Sequence, residues 1–124
     1  MVVRSAVAVA FAMPGGESCV TAPVRPIDMA HLSRQTLGDR VVEQEVLELF
    51  VQQAVLVRDR IAGATADERL QLAHGLKGAA RGVGAFPIAA CLSDIEDDPS
   101  DARHFVTLAR LIDEVRDFIA AICR

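Results

Sequence analysis

The segment TADERLQLAHGLKGAARGVG at residues 65–84 shows the helical pattern that continues through most of the chain. Thr65 and Glu68 stand three residues apart at its start, which is the spacing of a capping box. At about 100° per residue, four apolar side chains then fall within one narrow arc: Leu72, Leu76, Ala79 and Val83. The segment predicts an amphipathic helix that runs from residue 66 to about residue 81, with Gly82 and Gly84 breaking the chain after it.

Two helices are predicted before this segment. The first is short and extends from residue 28 to about residue 35, ending before Gly38. Asp39 is suited to cap the second, which extends to about residue 62 and is stopped by Gly63. Its predicted inward positions are Val42, Val46, Leu49, Phe50, Val57 and Ile61.

Two more helices are predicted after the segment. Pro87 suits the first turn of the fourth helix, whose apolar stripe is Ile88, Cys91, Leu92 and Ile95. The last helix is expected to start at Asp98-Pro99 or at Ser100, with the stripe Phe105, Leu108, Ile112, Val115, Ile119 and Ile122. Short connections make neighbouring helices antiparallel. The fold class is therefore predicted as all-α: an antiparallel up-and-down four-helix bundle over residues 26–124, with a short N-terminal capping helix.

Composition excludes several classes of protein. A length of 124 residues fits one domain, and 13 basic against 17 acidic side chains leave no surplus of positive charge for nucleic acid. No apolar run reaches the roughly 18 residues of a membrane-spanning helix. The three cysteines, Cys19, Cys91 and Cys123, have no paired spacing that would indicate a disulfide framework or a CxxC metal site. We expect a cytoplasmic monomer that binds neither nucleic acid nor membrane.

Residues 1–25 have three open interpretations. Arg4 precedes a short apolar run that ends at Met13, as in a signal peptide. The valine-rich residues 2–13, the turn signal Pro14-Gly15-Gly16 and residues 18–24 also fit a β-hairpin. The third interpretation is a mobile extension that ends at Pro23 and Pro26.

His74 is predicted to face solvent, because it lies almost opposite the apolar arc of its helix. Leu70 and Gly78 flank it one turn to either side on the same face, and Lys77 and Arg81 follow within two turns. The missing side chain at Gly78 would let another protein approach the imidazole, and Leu70 would offer that protein an apolar contact. The charged groups of Lys77 and Arg81 would both lie within reach of a phosphoryl group on the His74 ring.

The stretch HGLKGAA at residues 74–80, followed by Gly84-Ala85, resembles the signature of histidine-containing phosphotransfer (HPt) domains. Leu47, Phe50 and the spacing of the four helices are also similar to this family, from about residue 27 to residue 124. The sequence departs from the usual pattern at Gly75, where a larger polar residue is common, and at Ala79, where serine is common. The resemblance implies a phosphoryl acceptor at Nε2 of His74 and a docking site shaped by Lys77 and Gly78.

Glu96 is the candidate partner of the imidazole. The resemblance implies this role, since some HPt domains use a carboxylate on the following helix to bond the other ring nitrogen. The residues support it separately, because His74 and Glu96 lie about equally far from the turn near Gly84 and so at similar height on antiparallel helices. A solvated glutamate at a helix end, beside Asp97 and Asp98, is the alternative.

The predicted function is that of a phosphoryl carrier, which is not an enzyme with an ATP site of its own. Its partners would be a receiver domain, a hybrid histidine kinase or both, with Mg²⁺ supplied by the receiver and no cofactor held by this chain. One alternative is an adaptor bundle that binds a receiver or kinase domain without accepting phosphate. A helical metal site is the other, which the separation of His31, His74 and His104 on three helices disfavours.

Overall fold

A computed structural model describes residues 25–122 of the chain. These residues form five helices: α1 (Met29–Gln35), α2 (Arg40–Ile61), α3 (Ala66–Val83), α4 (Phe86–Asp97) and α5 (Arg103–Ile122). No strand occurs within this range, and the prediction of an all-α fold is confirmed. The signal peptide, hairpin and extension considered for the N-terminus concern residues that lie outside the described range, except for Arg25.

Helices α2 to α5 form the bundle, and each packs against its neighbours in chain order, with α5 closing the ring against α2. Helix α1 packs on α3 at one end, as the predicted capping helix would. The core is entirely apolar among the described residues and is built mainly from leucine, isoleucine, valine and alanine. None of the helices described is long and apolar enough to cross a membrane.

Side-chain caps fix the helix starts where the sequence placed them. The Asp28 carboxylate accepts from the backbone N–H of His31, and Asp39 accepts from two backbone N–H groups at the start of α2. Thr65 and Glu68 form the complete capping box at the start of α3. Because these caps satisfy backbone donors that the helix itself leaves free, they define the first turns of three helices.

Helix α3 ends two residues later than predicted, because Gly82 does not break it. The helix continues to Val83, whose side chain is buried, and ends at Gly84 in the left-handed conformation with φ +86°. A single glycine costs a helix only about 1 kcal/mol relative to alanine, which burial of the Val83 side chain offsets. At Gly84 a Cβ atom would lie 2.8 Å from the backbone oxygen of Asp28. Only glycine fits this close contact between α1 and the α3–α4 turn.

Helix α5 starts at Arg103, later than the predicted Asp98 to Ser100. The Asp98 carboxylate accepts from the backbone N–H and the hydroxyl of Ser100, and Asp101 accepts from the backbone N–H of Arg103. Aspartate side chains that bond nearby backbone groups in this way favour turns over helix. The acidic residues between α4 and α5 therefore form the connection and not the first turn of α5.

Arg69 of α3 holds this connection against the end of α2. Its guanidinium donates to the backbone oxygens of Ile61 at 2.9 Å, Ala62 at 2.6 Å and Pro99 at 3.0 Å. The same group lies over the Phe105 ring, 4.8 Å from the ring centroid. The Arg69 side chain thus satisfies two carbonyls at the C-terminal end of α2. It also joins α3 to the end of α2, to the connection between α4 and α5, and to Phe105 of α5. The sequence did not single out this residue.

The inward face of α2 differs from the prediction. Phe50, Val57 and Ile61 are buried as expected, together with Leu47 and Ala54. Val42 and Leu49, which were predicted to point inward, are exposed, and Val46 is only partly buried. Since α2 carries apolar residues on two faces, the sequence pattern alone could not decide which of them meets the core.

The two C-terminal helices follow their predicted stripes closely. All four predicted residues of α4 are buried, and Leu108, Ile112 and Val115 bury the centre of α5. Phe105 and Ile119 are partly buried, whereas Ile122 at the end of α5 is exposed. Burial raises the pKa of the Cys91 thiol to about 11, with a smaller contribution from Asp94 in the same direction. This thiol is therefore protonated near neutral pH and is a poor nucleophile.

Candidate functional site

His74 lies on the outer surface of α3, as predicted from the helical period. Its side chain is 78% exposed. The opposite face of the same helix contacts the core. Its buried residues are Ala73, Leu76, Ala80 and Val83, and its partly buried residues are Leu72 and Ala79. The histidine therefore lies outside the core contact and is accessible to another molecule.

The Glu96 carboxylate holds the imidazole from the neighbouring helix α4. Nδ1 of His74 lies 3.1 Å from Oε2 of Glu96, a distance that fits an Nδ1–H donor and a carboxylate acceptor. The prediction that the two residues stand at the same height of the bundle is confirmed. With a proton at Nδ1, the lone pair of a neutral ring is at Nε2. Within residues 25–122 no hydrogen bond engages Nε2.

Lys77 binds the second oxygen of the same carboxylate. Its ammonium donates to Oε1 of Glu96, and its side chain is 16% exposed. The sequence pointed to this lysine as a group that reaches an anion on the imidazole, whereas in the structure it bonds the glutamate. The ion pair itself was not foreseen. The one-turn spacing of His74 and Lys77 brings both side chains toward α4, but it does not identify the group that the lysine bonds.

The charge of Glu96 is stabilised by both neighbours. The pKa of this carboxyl lies below its usual range, first because of the hydrogen bond from Lys77 and then because of the bond to His74. Partial burial acts in the opposite direction and is outweighed. Glu96, with a side chain 21% exposed, is therefore ionised at neutral pH and able to orient the ring.

The residues around the imidazole leave its approach open. Leu70 and Arg81, which the sequence placed near the imidazole, are exposed one and two turns away from it on α3. Gly75 and Gly78 are also exposed, and a Cβ atom built at either position would meet no other part of residues 25–122 within 4 Å. Packing among these residues therefore gives no reason for glycine at the two helical positions.

The other two histidines are placed differently. His31 packs edge-on against Phe86 with ring centroids 5.2 Å apart, and its buried Nε2 has no hydrogen-bond partner among residues 25–122. Nε2 of His104 lies 3.7 Å from the Asp101 carboxylate. In the part of the chain that the structure describes, no group of three histidine, cysteine or acidic side chains could hold a metal ion.

The site thus contains an exposed imidazole, a carboxylate bonded to its Nδ1 and a cation bonded to that carboxylate. No protein-family model, curated protein or solved structure matches this chain.

Proposed function

We propose that the chain is a histidine phosphotransfer protein that carries a phosphoryl group on His74 between aspartates of receiver domains. The observation that carries this proposal is the exposed imidazole whose Nδ1 is bonded by the Glu96 carboxylate at 3.1 Å. This contact directs the lone pair of the neutral ring to Nε2, on the side that a partner can reach. The resemblance of residues 74–80 to the HPt signature supports the same assignment.

The chemistry is a single in-line displacement. The Nε2 lone pair attacks the phosphorus of an aspartyl phosphate, the bond between phosphorus and the aspartate oxygen breaks, and the aspartate leaves as a carboxylate. The proton on Nδ1 stays in its hydrogen bond with Glu96, which stabilises the positive charge that develops on the ring. The reverse displacement returns the phosphoryl group to another aspartate.

The partner supplies the remaining groups. Phosphoryl transfer depends mainly on positioning and on neutralising the charge of the transferred group. We expect the receiver to contribute Mg²⁺ and cations for that purpose, and a hybrid histidine kinase to serve as the upstream source. The sequence contains no GxxxxGK[ST] loop for ATP, consistent with a carrier rather than a kinase.

Gly75 and Gly78 would form the closest contact with the receiver. Each glycine lowers helix stability by about 1 kcal/mol relative to alanine, and packing among the described residues requires neither. Their absent side chains let a partner approach the α3 backbone beside His74. Leu70 and Arg81 would add apolar and charged contacts at the edge of this surface.

Transfer from a receiver tests the proposal. Receiver domains are charged with phosphate, mixed with the chain, and followed for loss of their phosphate and gain of acid-labile phosphate on the chain. We expect transfer to the wild type and to His104→Gln, but none to His74→Gln. A receiver that binds the wild type tightly and keeps its phosphate would contradict the proposal and favour the adaptor.

A further inference from the structure

Helix α2 carries an exposed apolar stripe that neither the core nor the proposed transfer chemistry uses. Val42, Leu49 and Leu56 recur every seven residues and all three are exposed, with Leu49 64% and Leu56 61% exposed. A seven-residue spacing keeps side chains on one face over several turns of a helix. Gln52 and Gln53, also exposed, lie between the two leucines.

Charged residues are placed at both ends of this stripe. Glu45 lies one turn before Leu49, and Arg60 lies one turn after Leu56. Both side chains are exposed, and within residues 25–122 neither takes part in an ion pair at 4.0 Å or less. Their signs are opposite, so the stripe is acidic toward the start of α2 and basic toward its end.

The stripe is self-complementary, because its residues are arranged symmetrically about the midpoint between Gln52 and Gln53. If a two-fold axis passes through that midpoint, two α2 helices pair antiparallel. Leu49 of each copy then lies opposite Leu56 of the other, and Glu45 lies opposite Arg60. Each contact then occurs twice, as a two-fold interface requires. A parallel pairing would instead place Glu45 against Glu45 and Arg60 against Arg60, which repel.

We propose that a second copy of this chain docks on the stripe, with the two α2 helices antiparallel across that axis. Leu49 and Leu56 form the apolar centre, and the two Glu45–Arg60 pairs set the direction. Because only one helix of each copy takes part, we expect a weak dimer that forms at high protein concentration. A monomer was expected from the sequence, and Val42 and Leu49 were separately predicted to point into the core.

The dimer would also affect the site on α3. Leu56 lines a groove between α2 and α3 together with Leu72 and Gly75, and Gly75 adjoins His74. A second α2 on the stripe therefore lies beside the surface on which a receiver would dock, and the two partners would compete. This consequence rests on the proposed function, whereas the dimer does not.

Sedimentation equilibrium over a wide range of protein concentration tests the dimer with the full chain. Glu45→Arg and Arg60→Glu each place like charges opposite each other, and we expect each to weaken association roughly tenfold or more. The double variant Glu45→Arg/Arg60→Glu restores both pairs with reversed sign, and its dissociation constant should return to within about threefold of the wild type. Asp117→Arg, an exposed charge reversal on α5, is the control and should leave association unchanged.

Several results would overturn the proposal. A wild type that stays monomeric at millimolar concentration removes it, and so does a dimer whose strength the single reversals do not change. If Leu49→Ser weakens receiver binding while the wild type remains monomeric, the stripe belongs to the receiver. Labelling of His74 by a small phosphoryl donor is read separately, so a failed dimer and a failed phosphoacceptor are distinguished.

Discussion

Substitution of Gly78 by alanine should separate the stability of the bundle from its function. A Cβ atom at this position meets no other part of the described chain within 4 Å, so the new methyl group brings no clash there. Alanine is favoured over glycine in a helix interior by about 1 kcal/mol. For a domain of this size, that gain corresponds to a rise in melting temperature of roughly 4–8 °C.

The same methyl group should impair transfer from a receiver. It would project into a close contact between the α3 backbone and the partner, and overpacking of this kind costs about 1–3 kcal/mol. Transfer would slow by roughly 5- to 150-fold, whereas labelling by the small donor phosphoramidate would be unchanged. If both reactions slow equally, the receiver does not contact the α3 backbone closely at Gly78.

Gly82→Ala is the matched control for this experiment. Gly82 is also exposed on α3, and a Cβ atom there would meet no other part of residues 25–122 within 4 Å, but it lies two turns beyond His74. We expect a stability gain no larger than that of Gly78→Ala, because Gly82 is in the last turn. Transfer should keep the wild-type rate. Thermal unfolding and the rate of transfer from a receiver are measured for both variants. If Gly82→Ala slows transfer as much as Gly78→Ala does, the receiver does not dock beside His74 as proposed.

Three further substitutions test the network and the scaffold. Glu96→Gln should slow labelling of His74 about tenfold, since a charge-assisted hydrogen bond is lost, and an unchanged rate would remove the orienting role. Folding lowers the pKa of Glu96 from 4.5, so the wild type should lose free energy of unfolding as the pH falls through that lowered value. In acid denaturation curves, Glu96→Gln should lose less free energy of unfolding than the wild type, because glutamine does not titrate. Lys77→Ala should raise the pKa of Glu96 toward its usual range, as read by carboxyl NMR; no rise would show that the lysine does not hold the carboxylate. Arg69→Ala should lower the free energy of unfolding by about 2–4 kcal/mol in a urea titration without changing His74 labelling, and a loss below about 0.5 kcal/mol would contradict the bridging role of its guanidinium.

The sequence predicts the start of a helix well where side chains of neighbouring residues cap it. Asp39 and Thr65 with Glu68 cap their helices as expected, because a cap needs only a few consecutive residues. Where local preferences compete with packing, the sequence was a poorer guide. Gly82 continues a helix whose next residue is buried, and the aspartates before α5 bond a turn instead of starting the helix.

The choice between faces of α2 could not be made from one sequence. Leu49 and Leu47 are both apolar and lie on different sides of the helix, yet only Leu47 meets the bundle. Which side is buried depends on how α2 rotates against α3 and α5, a property of the whole assembly rather than of a local pattern.

The exposure of His74 and its approach to Glu96 were both predictable, the first from helical period and the second from equal distance to the turn. The bond from Lys77 to Glu96 was not, because a long side chain on a helix surface can reach several partners. Its choice depends on the distance between α3 and α4 and on the rotamers that packing allows.

The central claim is that His74 is a reactive phosphoacceptor, and a small donor tests it without any partner. The full chain and His74→Gln are incubated with phosphoramidate, and intact mass and acid lability are recorded for both. The account predicts one acid-labile phosphoryl group on the wild type and none on the variant, with the fold of both intact by circular dichroism. A folded wild type that remains unmodified, or a variant that is labelled equally, would contradict it.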